Sequence, residues 1–441
     1  MTDGSDPTTE AAPPESATAA LADAARRSDL ALVLGTLLLV YVAATVLTFT
    51  DGLNSVVGLM RTLTFLGLVY ALSALALNLQ WGYAGLFNIG VAGFMALGVY
   101  TMGIVVRSPD PAFGPPGFGL PLWVGIPAGM LVAGFAGLLA ALPALRLKAD
   151  YLAIVTLGIS EIIRLFLQSS AFDAGLRETL GVGTGGGRGM GMPRNPIREL
   201  FLVDGQSSTP TPLGEAVFGT LGDGGLGISH SILVDWGYIV VLAGFVIAFY
   251  ILLERLGRSP FGRTLKAIRE DELVANSLGK NVNLIKIKVF VIGCALMGLA
   301  GILWFGSQGN VSPTPQFMPV LTFYVFIAVI IGGSGSNTGA VLGGIVFATV
   351  LFEGPRRFGA TARGVIDADT PSSFGDALVS LDPVAFLAYA TDNVAPLQFV
   401  FLGLILVFIM HRRPDGILGD RIETAAAVDL SERPRGGETD E

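Results

Sequence analysis

Residues 233–253 read LVDWGYIVVLAGFVIAFYILL, residues 254–286 read ERLGRSPFGRTLKAIREDELVANSLGKNVNLIK, and residues 287–307 read IKVFVIGCALMGLAGILWFGS. The first and third blocks are each 21 residues long and nearly free of charge. About 20 apolar residues cross the hydrocarbon of a bilayer as a helix. The block between them carries Arg255, Arg258, Arg263, Lys266, Arg269, Lys280 and Lys286, with Lys288 just beyond. Lys and Arg concentrate in short cytoplasmic loops of membrane proteins. The three blocks therefore predict two spans joined by an inner loop, and the rest of the chain is oriented from them.

Working outward, the same length test selects Ala31–Phe49 and segments at about 62–80, 83–106, 120–143, 150–168, 319–333, 339–353 and 396–411. The expectation is an all-α polytopic membrane protein with about ten transmembrane helices and both termini cytoplasmic. The eighth and ninth segments are short and joined by a Gly-rich break, which leaves nine or eleven as alternative counts. Arg26, Arg27, Arg146, Lys148, Arg412 and Arg413 all fall on the inner side in this arrangement. Arg356, Arg357 and Arg363 fall outside, in a long loop that also carries Asp367, Asp369, Asp376 and Asp382. Long loops follow the charge rule poorly. Composition agrees with the class: 14% of the chain is charged, against about 25% in soluble domains.

The domain plan is correspondingly simple. Residues 1–29 form an acidic, Pro/Ala-rich tail expected to be disordered and cytoplasmic. Residues 30–411 form the membrane domain, with irregular outer loops that leave room for short helices at about 169–232 and 354–395 and an inner loop at about 254–286. Residues 412–441 form a second acidic cytoplasmic tail. The net charge of −8 argues against a nucleic-acid partner, which needs a basic face. Its surplus in the tails and outer loops fits either adaptation to high salt or a chance excess in solvated segments.

Several chemistries are disfavoured by residue type. Cys294 is the one cysteine, so no disulfide or thiolate cluster forms within the chain. His230 and His411 are the two histidines, and no metal site is expected. Gly279-Lys280 is followed by Asn281, so the phosphate-cradling G-x-x-x-x-G-K-[ST] loop is missing. If ATP drives this protein, ATP and its magnesium sit on another subunit, and no cofactor is bound directly.

Within the inner loop, Thr264–Leu278 has helical character, with Leu265, Ile268, Leu273 and Ala275 as apolar contacts and Gly279 as the stop. Two readings stand. The helix docks into a groove of a soluble partner, or it is a solvated linker whose charges enforce topology.

Other positions invite a role in the membrane. Gly335, Gly339 and Gly343 recur every four residues, so the spacing predicts one small-residue helix face for close packing. Irregular backbone is tolerated in a membrane where it is buried or lines a cavity. The stretches Gly82–Gly93 and Gly332–Gly344 are such breaks, and they hint at an inverted repeat of spans 2–5 and 7–10. Glu161 and Arg164 sit three residues apart in the fifth span, as an internal salt bridge or as gate charges. Asn78, Gln80, Tyr83 and Asn88 either line a path or satisfy the backbone at the break.

The ordered motifs carry a resemblance. Leu77-Asn78-Leu79-Gln80-Trp81-Gly82-Tyr83-Ala84-Gly85, Asp150-Tyr-Leu-Ala-Ile-Val-Thr-Leu-Gly with Glu161-Ile-Ile-Arg164, and Thr184-Gly-Gly with Gly191-Met-Pro193 come first. Then follow Ser259-Pro-Phe-Gly-Arg-Thr-Leu-Lys-Ala-Ile-Arg-Glu-Asp-Glu with Gly279, Gly332-Gly-Ser-Gly-Ser-Asn-Thr-Gly339, and Arg413-Pro-Asp-Gly-Ile-Leu-Gly419. This set resembles LivM-type permeases, the membrane subunits of ABC importers for branched-chain amino acids.

The resemblance implies a catalytically silent transport subunit in the plasma membrane. It would pair with a second, LivH-like permease, two ATPase subunits and an extracellular substrate-binding protein that supplies most selectivity. It also implies that Arg263, Lys266, Arg269, Glu270, Asp271, Glu272, Ala275 and Gly279 form the ATPase-coupling loop. Related permeases carry urea, short amides or sugars. An ion-coupled secondary carrier is the alternative from another class. The chain departs from the family pattern in its acidic tails, around 195–230 and at 354–395.

Overall fold

The computed structural model describes residues 15–48, 52–111, 114–145, 149–192, 195, 197–203, 209–222, 225–366, 369–379 and 381–418. Arg146, Lys148, Asp367 and the tail residues 1–14 and 419–441 lie outside the described residues.

The chain is a helical membrane protein. Eight helices among the described residues are long and apolar enough to cross a bilayer, and two shorter apolar helices, Val91–Val106 and Gln398–Arg412, complete ten segments. Each corresponds to one segment expected from the sequence. We label the spanning and inner-loop helices α1 (Glu15–Leu47), α2 (Leu53–Asn78), α3 (Val91–Val106), α4 (Leu122–Ala144) and α5 (Ala149–Gln168). The second half holds α6 (His230–Arg258), α7 (Pro260–Glu270), α8 (Glu272–Ser277), α9 (Val282–Phe305), α10 (Pro319–Gly332), α11 (Asn337–Val346) and α12 (Val394–Arg412).

Burial divides the bundle into a core and a rim. From Val69 to Asn78 every residue of α2 is buried, and Leu299 to Phe305 of α9 is equally enclosed. By contrast Leu38, Leu39, Val42 and Val46 of α1 face outward, as expected of a helix whose neighbour is lipid. Tyr70 of α2 centres an aromatic box, with Trp304 at 4.7 Å and Phe347 at 4.9 Å in edge contact. Such pairs add to simple burial because ring edge and face carry opposite partial charge. Between α3 and α9 the backbones nearly touch: a Cβ on Gly98 would lie 2.3 Å from the Gly298 carbonyl oxygen. Small residues permit this approach where lipid offers no hydrophobic drive between helices.

Two expectations need correction. Helix α1 begins at Glu15, inside the 1–29 tail read as disordered; the Ala-rich run Ser16–Ala25 is a strong helix former and extends the span. The third span, expected at 83–106, has a helix that starts only at Val91, and residues 85–90 form neither helix nor strand. The outer loops do carry short helices, as their composition allowed. Ser170–Leu180 and Pro212–Leu221 are helical in the first loop, and Gly354–Val365, Phe374–Val379 and Pro383–Asp392 in the second.

The outer cluster that broke the charge rule is largely neutralised. Arg357 pairs with Glu353 at 2.8 Å, and Arg363 with Asp392 at 3.3 Å. On the same side, strand β1 (Met190–Gly191) pairs antiparallel with β2 (Asn310–Val311). This ties the Gly-rich outer loop to the turn after α9.

Candidate functional site

The inner loop is where the sequence predicted one helix and the structure has two. Ser259 caps α7 by accepting the Gly262 N–H at 3.2 Å, with Pro260 at the first helical position. Helix α7 ends at Asp271, whose extended backbone breaks the run. The Asp271 carboxylate then accepts the N–H groups of Leu273 (2.8 Å) and Val274 (3.1 Å), starting α8 at a new angle. The signal was present: an Asp followed by Glu and apolar residues is an N-cap pattern. Gly279, at φ +76°, closes the segment as expected.

The predicted loop residues divide by the side they face. Leu265, Ile268, Lys266 and Ala275 are buried against the bundle. Arg263, Glu270, Asp271, Glu272 and Gly279 are exposed. Leu273 and Leu278 are also exposed, at 78% and 73%, so of the four apolar contacts anticipated, Leu273 points away from this chain. Glu272 reaches back to form an ion pair with Lys286 at the start of α9.

Arg269 and Lys266 connect the loop to the membrane domain. After Asn78, α2 widens into a π-helical turn, Leu79–Tyr83. The Arg269 guanidinium donates to the Gly82 carbonyl in that turn. Lys266 lies over the Tyr83 ring, 5.5 Å from its centre. A π-turn leaves backbone groups without their regular helical partners, and a charged donor is a strong way to satisfy one.

The same turn grips a second break. The Asn78 side chain donates to Asn337 Oδ1 at 3.1 Å and accepts the Gly335 N–H at 2.8 Å. Asn337 in turn donates to the Tyr83 hydroxyl at 2.8 Å. All three side chains are buried. Gly335 sits at φ +93° in the turn between α10 and α11, a conformation that suits glycine. It is therefore outside the helix, which corrects the reading of Gly335, Gly339 and Gly343 as one helical face. Gly339 and Gly343 do form a packing seam: a Cβ on either would meet the backbone of Gly332 or Ala328 at 2.4 Å or less.

Because Gly82 and Gly335 meet at one end of the bundle, the two Gly-rich breaks are parts of a single junction. Lying together on one side of the bundle, they are not equivalent positions of opposed repeats, contrary to the inverted-repeat expectation.

From Gly85 to Gly90 the chain is irregular and runs back into the bundle. Asn88 donates to Gln80 Oε1 at 2.8 Å and accepts the Gly90 N–H at 2.8 Å, while Gln80 donates to the Phe290 carbonyl at 2.8 Å. The bland alternative for these polar residues is the one seen: they satisfy broken backbone. Three hydroxyls not singled out from the sequence complete the work. Thr156 accepts Ile89 N–H at 2.9 Å, Ser160 accepts Gly93 N–H at 2.8 Å, and Thr322 accepts Ala92 N–H at 3.0 Å.

Thr156 and Ser160 lie seven and eleven residues into α5, about 10 and 16 Å along its axis. Helix α3 thus starts deep in the hydrocarbon, where each unpaired backbone group costs several kcal/mol. The sequence signal was the i, i+4 pair Thr156/Ser160 in an otherwise apolar span.

Two further features stand apart from this junction. Arg164 pairs with Glu161 at 2.9 Å and donates to Gln168 Oε1 at 3.0 Å, near the outer end of α5. At the inner end, the segment after α12 closes α10: Ile417 and Leu418 N–H groups donate to the Ile331 (2.8 Å) and Gly332 (3.1 Å) carbonyls. That is the physical use of the Arg413–Gly419 motif, a C-terminal cap supplied from afar.

A polytopic helical bundle, two buried glycine breaks locked by asparagines, and an amphipathic two-helix loop docked on the break define the site. The sequence pattern of the family described as "Branched-chain amino acid transport system / permease component" matches residues 59–354, more than half of the chain. The chain belongs to that family.

It is 34% identical over 281 residues to the high-affinity branched-chain amino acid transport permease LivM of Escherichia coli K12, covering 64% of this chain and 60% of the relative. It is 25% identical over 388 residues to a probable LivM of Methanocaldococcus jannaschii, covering 81% and 92%. It is 25% identical over 283 residues to LivH of E. coli K12, covering 64% and 80%. The match spans about 60% of the length of the LivM relative from E. coli. No solved structure matches the chain. The chain is accordingly a multi-pass protein of the plasma membrane.

Proposed function

We propose that this protein is a membrane-spanning permease subunit of an ABC importer that brings branched-chain or related hydrophobic amino acids into the cell. In this reading it works beside a second, LivH-like permease, two ATPase subunits that bind ATP and magnesium, and an extracellular substrate-binding protein. It is a transport subunit and performs no catalysis itself.

The observation that carries the proposal is the bond from Arg269 to the Gly82 carbonyl, read together with family membership. Helix α8 and the turn after it present Leu273 and Leu278 to a cytoplasmic partner while Arg269 and Lys266 hold the π-turn. Force on the loop then reaches the Asn78–Gly335–Asn337–Tyr83 junction directly, and through it the start of α3 and the α10–α11 turn. Rigid helices joined at such hinges shift as bodies between discrete arrangements.

The test is reconstitution of the five-component importer in liposomes, with radiolabelled leucine outside and ATP within. Leucine accumulation that requires ATP, the ATPases and the binding protein supports the proposal. Uptake that persists without the ATPases and collapses with the ion gradient would replace it with a secondary carrier. ATP-driven uptake that leucine fails to compete would keep the importer and change its cargo.

A further inference from the structure

At the outer end of the bundle, opposite the basic loop, a cavity of about 230 Å³ lies between α2, α6 and the turn after α9. Its lining includes Arg61, Asp235, Asn195, Gln308, Phe65 and Ile239. Arg61 donates to the Asp235 carboxylate, an ion pair between residues 174 apart in sequence. Arg61 stands eight residues into α2 and Asp235 five into α6, about 12 and 8 Å along their axes. Both lie in helices long enough to span, at the outer edge of the apolar segments 62–80 and 233–253, and charges in spanning helices mark ligand or ion routes by default.

The pair does not exhaust its own bonding capacity. Arg61 Nη2 makes only a long bond to the Thr62 hydroxyl, at 3.3 Å, and the buried Nε has no hydrogen-bond partner among the described residues. Arg61 and Asp235 side chains remain 34% and 42% exposed, so both face the cavity rather than sealing it. The walls beside them, Phe65 and Ile239, are apolar. Opposite charges next to an apolar wall are complementary to a small zwitterion with an apolar side chain. The volume also falls below the roughly 300 Å³ at which pockets for drug-sized ligands begin.

The geometry points to this cavity as an outer binding site for a free α-amino acid. The guanidinium of Arg61 receives the carboxylate, Asp235 receives the ammonium, and Phe65 and Ile239 contact the side chain. The inference rests on the importer reading and adds to it a site on the permease itself, entered after release from the binding protein.

The experiment uses the complete permease–ATPase complex in nanodiscs, without the binding protein, and measures equilibrium binding of radiolabelled leucine. Wild-type complex should bind leucine, and 3-methylbutylamine or 4-methylpentanoate, each lacking one charge, should compete at least about tenfold more weakly. Asp235→Asn and Arg61→Gln should each raise the leucine Kd at least about tenfold. The Arg61→Asp/Asp235→Arg double variant rebuilds an ion pair and should still bind weakly, because the charges are reversed against the apolar wall. Gln308→Trp changes an exposed turn residue, leaves the pair intact and should also weaken binding by filling the mouth.

Absence of leucine binding to wild-type complex would overturn the inference, as would unchanged Kd in Asp235→Asn, Arg61→Gln and Gln308→Trp. Recovery of wild-type binding by the reversed pair would reduce Arg61–Asp235 to a staple between two helices. Leucine binding abolished by phosphatidylethanolamine and present in phosphatidylglycerol alone would make a lipid headgroup the occupant, and would overturn it too. ATP-driven uptake measured on the same complex with its binding protein separates the two levels. Uptake without site binding removes this site alone, whereas no amino-acid uptake removes the importer reading with it.

Discussion

Arg269, in the inner loop, is hydrogen-bonded to the backbone carbonyl of Gly82, which lies 187 residues earlier in the π-turn at the end of α2. Two parts of the sequence with no local relation are thereby mechanically one. The turn that Arg269 holds also contains Tyr83 and follows Asn78, the residues that hold the α10–α11 break.

The first prediction concerns that link. Arg269→Ala should lower ATP-driven uptake by roughly 10- to 100-fold, the equivalent of losing one charge-assisted hydrogen bond. Arg269→Lys should recover part of it, because a lysine supplies charge without the planar fork. The ATPase subunits should still co-purify with both variants. Full uptake by Arg269→Ala would show that force enters by another route.

The docking surface makes a complementary prediction. Leu273→Glu with Leu278→Glu should abolish co-purification of the ATPases, since both side chains, one in α8 and one just after it, are exposed. The permease itself should keep its detergent melting temperature, because neither residue is packed in this chain. Retained ATPase binding at wild-type strength would reject α8 as the contact.

Asn78 should behave as a structural keystone. Asn78→Ala leaves the buried Gly335 N–H and the Asn337 amide without partners, each costing about 1–3 kcal/mol. A clear fall in thermal stability of the purified protein is expected. Asn78→Asp keeps an acceptor for the Gly335 N–H but buries an unpaired carboxylate against the Asn337 amide oxygen, so its fall should be at least as large. Melting curves of the three forms in one detergent decide the order.

The Glu161–Arg164 pair separates packing from pathway. Removing one partner, as in Glu161→Gln, should destabilise the protein more than removing both in Glu161→Leu/Arg164→Met, because a lone charge in the span is worse than none. If the pair only fixes α5, the stable double variant transports normally. If the charges line the path, it folds and transports poorly. Uptake and melting temperature measured together distinguish these outcomes.

Much of the junction could be named from the sequence without its geometry. Asn78, Tyr83, Asn88 and Gly335 were marked because polar and glycine residues are conspicuous in apolar spans. What they bond to was not legible, since Asn78 and Gly335 are 257 residues apart. The break at Asp271 was missed because mixed charge in an inner loop also suits one continuous helix, and the capping geometry became visible only with the backbone. Thr156, Ser160 and Thr322 passed unnoticed for a related reason. A hydroxyl in a span usually bonds its own helix, as Thr156 does by donating to the Ala153 carbonyl at 3.0 Å, and only the approach of residues 89–93 gives these three their second use as acceptors.

Sequence by itself determined the class, the ten apolar segments, the side carrying the basic loop and the family motifs, because apolar length and charge placement are local properties. Tertiary structure alone decided that the two glycine breaks form one junction, that the inner loop bends at Asp271, and that Arg61 meets Asp235. Each of these depends on which backbone groups are left unpaired when helices pack, and in a bilayer those groups must be satisfied by whatever side chain the fold brings to them.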